Sequence, residues 1–238
     1  MTVKSFTMIR VAVFLLCLLP LGRLGWLGYT GGLGANPIEF ITRSTGTWTL
    51  TFLLITLGVT PARKLSGWNS LIKLRRMLGL YAFFYGSLHF TTYFWLDQFF
   101  DMAAIVKDVA KRPFITVGFS SFLLLIPLAL TSTRAMIRRL GGKRWQQLHR
   151  LVYFIAIGGV FHFLWQVKAD TRRPTIYGVV LAILLTYRLA MGLRQKHSAP
   201  APPASPGTRR SPAFQSLAEE IEFEKPVKLH ALTGVASL

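Results

Sequence analysis

The chain has 238 residues, of which 52% are hydrophobic and only 16% charged, a balance that excludes an ordinary soluble domain and indicates a polytopic membrane protein. Its formal net charge of +19 would suggest nucleic acid in a soluble protein; here Lys and Arg lie between apolar runs and read as topogenic charge, so no nucleic-acid partner is expected. The single cysteine, Cys17, excludes an intramolecular disulfide, a CxxC metal site and a Cys-attached haem.

The first apolar run, residues 9–27, is flanked by Lys4 and Arg10 and interrupted by Pro20. PLGRLGW follows it instead of a small-residue cleavage site, so it reads as a retained first span rather than a secretory leader. The glycine-rich stretch 28–40, GYTGGLGANPIEF, reads as an external loop. Its glycines make no dinucleotide fingerprint, because no strand precedes them.

A second span is predicted over 46–60 and a third over 77–96, the latter carrying His89. Arg63, Lys64, Lys73, Arg75 and Arg76 lie between them. The fourth, 114–130, is followed by Arg134, Arg138, Arg139, Lys143 and Arg144 in the densest basic segment. The fifth, 148–166, reads LHRLVYFIAIGGVFHFLWQ and has His149 and His162 near its two ends. A sixth, 175–193, carries Arg188 near its end and precedes Arg194 and Lys196.

These runs predict an all-α membrane protein, a six-transmembrane-helix bundle over residues 1–195 surrounded by lipid. The basic residues after spans two and four outnumber Lys107, Lys111 and Arg112 on the other side, which places both termini in the cytoplasm. Residues 196–238 form a Pro/Ala-rich cytoplasmic tail, HSAPAPPASPGTRRSP at its start, expected to be disordered apart from a capping-box pattern at Ser216 and Glu219. His197 and His230 fall in this tail and read as solvent-exposed.

Ionisable side chains inside a membrane are costly, so His89, His149 and His162 constitute a functional hypothesis. With odd-numbered spans running outward, His89 and His162 share the outer half. Facing helices can present two imidazoles to the two sides of one porphyrin, so this pair is expected to ligate an outer haem b, noncovalently in the absence of CxxCH. Aromatics on the same spans, among them Phe83, Phe90, Phe154 and Phe163, suit a porphyrin, although lipid-facing packing explains most of them individually.

His149 lies thirteen residues before His162, roughly 20 Å along a helix, near the inner face. A second histidine for an inner haem would fall on span three where Arg75 and Arg76 stand. Three readings stand side by side: a haem with one protein imidazole, a different redox cofactor, or a histidine that caps the helix start. Thirteen residues also rotate an ideal helix by about 140° from alignment, and Gly158-Gly159 offers a site for a kink.

Arg75, Arg76, Arg144 and Arg150 on the inner side, and Arg112 with Lys168 on the outer, are candidates for haem propionates or a flavin phosphate; topogenic charge is the competing reading for each. Proton relay or ion transport is the alternative use of intramembrane histidines, and a ferric or oxygen reductase the alternative within redox chemistry. The two halves show no repeat and no intramembrane Asp or Glu to support a transporter.

LGANPIEFI (33–41), TLGVTPAR (56–63), RRMLGLYAFFYGSLHF (75–90), KRPFITVG (111–118), LALTST (128–133), RLGGKRWQQLHRLVY (139–153) and FHFLWQVKAD (161–170) together resemble the MsrQ (formerly YedZ) family, in consistent order over residues from about 9 to 195. That family belongs with the ferric reductase and NADPH oxidase transmembrane domains. The resemblance implies a bacterial inner-membrane haem b protein, not an enzyme alone, that passes electrons to MsrP, a periplasmic molybdopterin enzyme reducing methionine sulfoxide in oxidised proteins. It further implies FMN, and quinone or a cytosolic flavin reductase as electron donor. The haem-ligand role is carried to His89, His149 and His162; the oxidase relatives have a second histidine where Arg75 or Arg76 stands, which leaves the inner site to haem or FMN. The chain contains no nucleotide-binding domain and no molybdenum-binding cysteine, so it must borrow both ends of the reaction.

Overall fold

Each of the six predicted apolar runs falls on helix in the computed structural model, which describes residues 3–167 and 169–197. In chain order the helices are α1 (Val3–Tyr29), α2 (Pro37–Ser66), α3 (Arg75–Thr91), α4 (Met102–Lys111), α5 (Pro113–Leu130), α6 (Arg134–Leu140), α7 (Gly142–His149), α8 (Leu151–Gln166) and α9 (Arg172–His197). A 3-10 turn at Asn69–Lys73 leads into α3, and a π-helical turn at Thr92–Asp97 prolongs it. No strand occurs among the described residues. Lys168 and the tail features at Ser216, Glu219 and His230 lie outside them. The contacts below lie within the compact unit Met1–Met191; a second unit, Gly192–Leu238, begins in the last turns of α9.

Among the described residues four helical stretches are long and apolar enough to cross a membrane: Ser5–Tyr29, Pro113–Leu130, Gly142–Gln166 and Arg172–Arg194. The other two predicted spans are helical but differ in character. α3 has 17 residues before its π turn, and α2 is rich in threonine. The α2 hydroxyls fold back onto their own helix: Thr42, Thr45, Thr47, Thr49, Thr51 and Thr56 each donate to the carbonyl four residues earlier. Their polarity is thereby satisfied within the helix.

Three boundaries depart from the sequence reading. The loop expected over 28–40 ends at Asn36, because Asn36 caps α2: its Oδ1 accepts from the Glu39 amide at 3.2 Å, its Nδ2 donates to the Glu39 carboxylate, and Pro37 takes the first helical position. The basic segment after α5 is two short helices, α6 and α7, joined at Gly141 with φ 75°. The fifth run is broken at Arg150, where the amides of Arg150 and Tyr153 bond three residues back; no break occurs at Gly158-Gly159, inside the continuous α8.

α2 packs along α3, and α5 along α8. Between them lies a core that includes Phe52, Leu57, Tyr85, Leu125, Ile155 and Ala156. α1 is fastened to α3 by tyrosines. Tyr85 donates to the Cys17 carbonyl at 2.9 Å and accepts from the Leu21 amide at 3.2 Å, so its hydroxyl is inserted into a helical hydrogen bond beside Pro20.

Candidate functional site

His89 near the end of α3 and His162 on α8 face each other, ring centroids 6.0 Å apart and planes at 75°. Each ring is tied to a neighbouring helix in the same way. His89 Nδ1 lies 2.9 Å from the carbonyl of Thr42 on α2, and His162 Nδ1 lies 2.7 Å from the carbonyl of Phe114 on α5. A carbonyl only accepts, so Nδ1 is the protonated nitrogen in both rings, and Nε2 carries the lone pair.

That tautomer is the one a metal ligand requires. The spacing suits a single ion between the rings: two metal–nitrogen bonds of about 2 Å, with about 1 Å from each nitrogen to its ring centre, call for centroids about 6 Å apart. The pair thus fits axial ligation of one haem iron. Phe114 stands 6.3 Å from the His162 ring, and Phe90, beside His89, stacks on Phe122 of α5 at 4.9 Å. Both histidines lie near the C-terminal ends of their helices, His89 within ten residues in sequence of Asp97 and His162 within ten of Asp170.

His149 stands apart from this pair, at the end of α7. Its ring stacks on Trp145 at 3.8 Å and 27°, its Nδ1 donates to the Trp145 carbonyl at 3.0 Å, and its Nε2 faces the Ser132 hydroxyl at 3.4 Å. Ser132 already donates its proton to the Leu128 carbonyl at 2.7 Å, so the Nε2 lone pair is approached but not bonded. Trp145 is itself held through its indole N–H on the Thr131 carbonyl at 2.9 Å. No second imidazole joins His149 among the described residues. Arg75, half-buried at the start of α3, lies within electrostatic reach of His149, Tyr153 and Arg188. Arg76 is exposed, as are Arg144, Arg150 and Arg112.

Arg188 belongs to this inner group, and the sequence reading left it out of the candidate residues. It reaches inward from α9, donating through Nη2 to the Leu57 carbonyl at 2.7 Å and through Nη1 to the Tyr153 hydroxyl at 2.9 Å, while its buried Nε has no partner. The signal was an arginine inside an otherwise apolar run. No carboxylate bonds to Arg75 or Arg188; the only ion pairs among the described residues are Arg43–Glu39 and Arg112–Asp108, at the opposite end of the bundle. Two neighbouring cations and a half-buried histidine thus gather at this end without a bonded acid.

Residues 44–160 match the family model described as "Ferric reductase like transmembrane component". Similar proteins include one from Herminiimonas arsenicoxydans, 59% identical over 199 residues (82% of this chain, 91% of the relative). One from Ralstonia nicotianae is 57% identical over 188 residues (78% and 87%), and one from Bordetella pertussis 50% identical over 201 residues (84% and 97%). All three are named protein-methionine-sulfoxide reductase heme-binding subunit MsrQ.

Proposed function

The chain belongs to the MsrQ family of multi-pass membrane proteins, and from that membership we propose that it is the haem-carrying subunit of a protein-methionine-sulfoxide reductase. In this reading it spans the bacterial inner membrane six times, with both termini cytoplasmic, over residues 1–195 and leaves 196–238 as a cytoplasmic tail. It passes electrons from quinone or a cytosolic flavin reductase to a periplasmic MsrP-like molybdopterin enzyme, which performs the sulfoxide reduction. The chain itself supplies passage, not the terminal chemistry.

The observation that carries the proposal is the His89–His162 pair: two imidazoles 6.0 Å apart, each held by a backbone carbonyl at Nδ1, which leaves the lone pair on Nε2. They would hold one haem b on the outer side. The bound group would supply reversible one-electron transfer; the protein orients both ligands and shields them with Phe90, Phe114 and Phe122. On the inner side, Arg75, with Arg188 behind it and His149 stacked on Trp145, would receive the phosphate and ring of FMN. The single histidine there, with no second imidazole beside it among the described residues, favours flavin over a second haem.

A dithionite-reduced minus air-oxidised spectrum of the detergent-purified protein tests this, with haemochrome and released flavin quantified on the same sample. Sharp reduced α and Soret bands, one haem b per chain and a comparable amount of FMN are expected. Absence of haem after expression with adequate haem supply overturns the reading, and two haems without flavin overturn the inner assignment.

A further inference from the structure

The two histidine attachments share a pattern that neither histidine explains. Thr42, whose carbonyl holds His89, lies four residues before Gly46; Phe114, whose carbonyl holds His162, lies four residues before Gly118. In an α-helix the carbonyl of residue i already accepts the amide of residue i+4. The imidazole therefore enters as a second donor on an oxygen whose first donor is the glycine's own amide. It approaches over the place where that residue's side chain would begin.

The space is measurable. A Cβ built on Gly46 would lie 3.0 Å from both Cε1 and Nδ1 of His89; one built on Gly118 would lie 2.6 Å from Nδ1 and 2.8 Å from Cε1 of His162. The first distance is tighter than ordinary van der Waals contact, and the second cannot exist without movement. Neither glycine has a positive φ, so backbone conformation does not require glycine at either position. Alanine would be the better helix former at each. What excludes a side chain is the imidazole.

We propose that Gly46 and Gly118 are positioning residues for the two haem ligands, each opening its helix so that a histidine can share the carbonyl one turn earlier. The device occurs twice, once in α2 and α3 and once in α5 and α8, and fixes both the place of each ring and the electron density at its Nε2. A short Nδ1–H···O bond makes the imidazole a stronger donor and favours oxidised iron. A methyl at either glycine pushes the ring off its carbonyl, weakens that bond and raises the midpoint potential. The order follows the distances: Gly118→Ala acts more strongly than Gly46→Ala.

This inference rests on the haem reading above, and the experiment separates the two. Full-length parent, Gly46→Ala, Gly118→Ala and Gly58→Ala are purified in detergent, and haem content, low-spin ferric EPR g-values and the reduction midpoint are measured for each. Gly58, also on α2, has nothing within 4 Å of a built Cβ and is the control. Expected are parent values for Gly58→Ala and a raised midpoint with shifted g-values for Gly46→Ala. Gly118→Ala should show a larger shift or partial conversion to high spin. A parent without low-spin haem overturns the haem reading itself. A parent with haem, and Gly46→Ala and Gly118→Ala indistinguishable from it in midpoint and g-values, overturns the role of the glycines alone. Should Gly118→Ala not accumulate in the membrane, Gly46→Ala decides on the same criterion.

Discussion

A neutral histidine still brings two polar nitrogens into an apolar interior, and each needs a destination. For His89 and His162 Nδ1 goes to a backbone carbonyl of another helix and leaves Nε2 with its lone pair; for His149 both nitrogens face groups of neighbouring turns. The difference gives separable predictions. His89→Ala and His162→Ala should each abolish the low-spin haem spectrum, since one imidazole cannot supply both axial positions; an unchanged α band in either variant would remove that ligand. His149→Ala should leave the α band intact and lower retained flavin severalfold, read by fluorescence of the supernatant after denaturation. The three histidines were legible in the sequence because charge-capable groups are rare in apolar runs. Gly46 and Gly118 were not, since their importance depends on which carbonyl a histidine from another helix meets, and every residue has a carbonyl.

Between helices, prolines create needs that neighbours fill. Pro61 has no amide to give, so the Leu57 carbonyl four residues earlier loses its helical donor, and Arg188 of α9 supplies one at 2.7 Å. The guanidinium is thus bound to a defect in α2. Arg188→Leu should cost about 1–3 kcal/mol, because a buried carbonyl is left unpaired. Pro61→Ala restores the amide, so Arg188→Leu should cost less in that background; equal costs in both, measured by thermal unfolding in detergent, would show that the proline and the arginine act independently. At this scale the sequence told the helices well and their breaks poorly. Asn36, Pro37 and Glu39 carry a readable start signal inside what looked like a glycine-rich loop. The interruption at Arg150 has no glycine or proline to mark it, whereas the visible Gly158-Gly159 pair lies within the continuous α8, where it packs against Ser121 and Leu50.

Across the whole molecule the described acidic residues gather at one end, where basic residues accompany them, and the other end is basic alone. The described acidic residues Glu39, Asp97, Asp101, Asp108 and Asp170 all flank the end that holds His89 and His162, whereas Arg63, Lys64, Lys73, Arg134, Arg138 and Arg139 flank the other. Positive charge marks the cytoplasmic face. In a Cys17→Ser background, a cysteine at Asp101 should react with a membrane-impermeant thiol reagent in intact spheroplasts, and one at Lys64 only after permeabilisation. The reverse pattern would invert the topology. This asymmetry was legible from the sequence; which arginine turns inward was not, because Arg75 and Arg76 are adjacent in the chain and only the rotation of α3 distinguishes them.

The double tethering of His89 and His162 also bears on speed. A ring free to swing relaxes when the charge on its ligated centre changes, and that relaxation is energy each electron must supply again on the next passage. Here the far nitrogen of each ring is fastened to the main chain of a second helix, with a hydrogen-only position closing the space behind it. With a haem held between the rings, the surrounding dipoles would be set before an electron arrives. Two helices that supply no ligand would thus lower the reorganisation energy of the transfer.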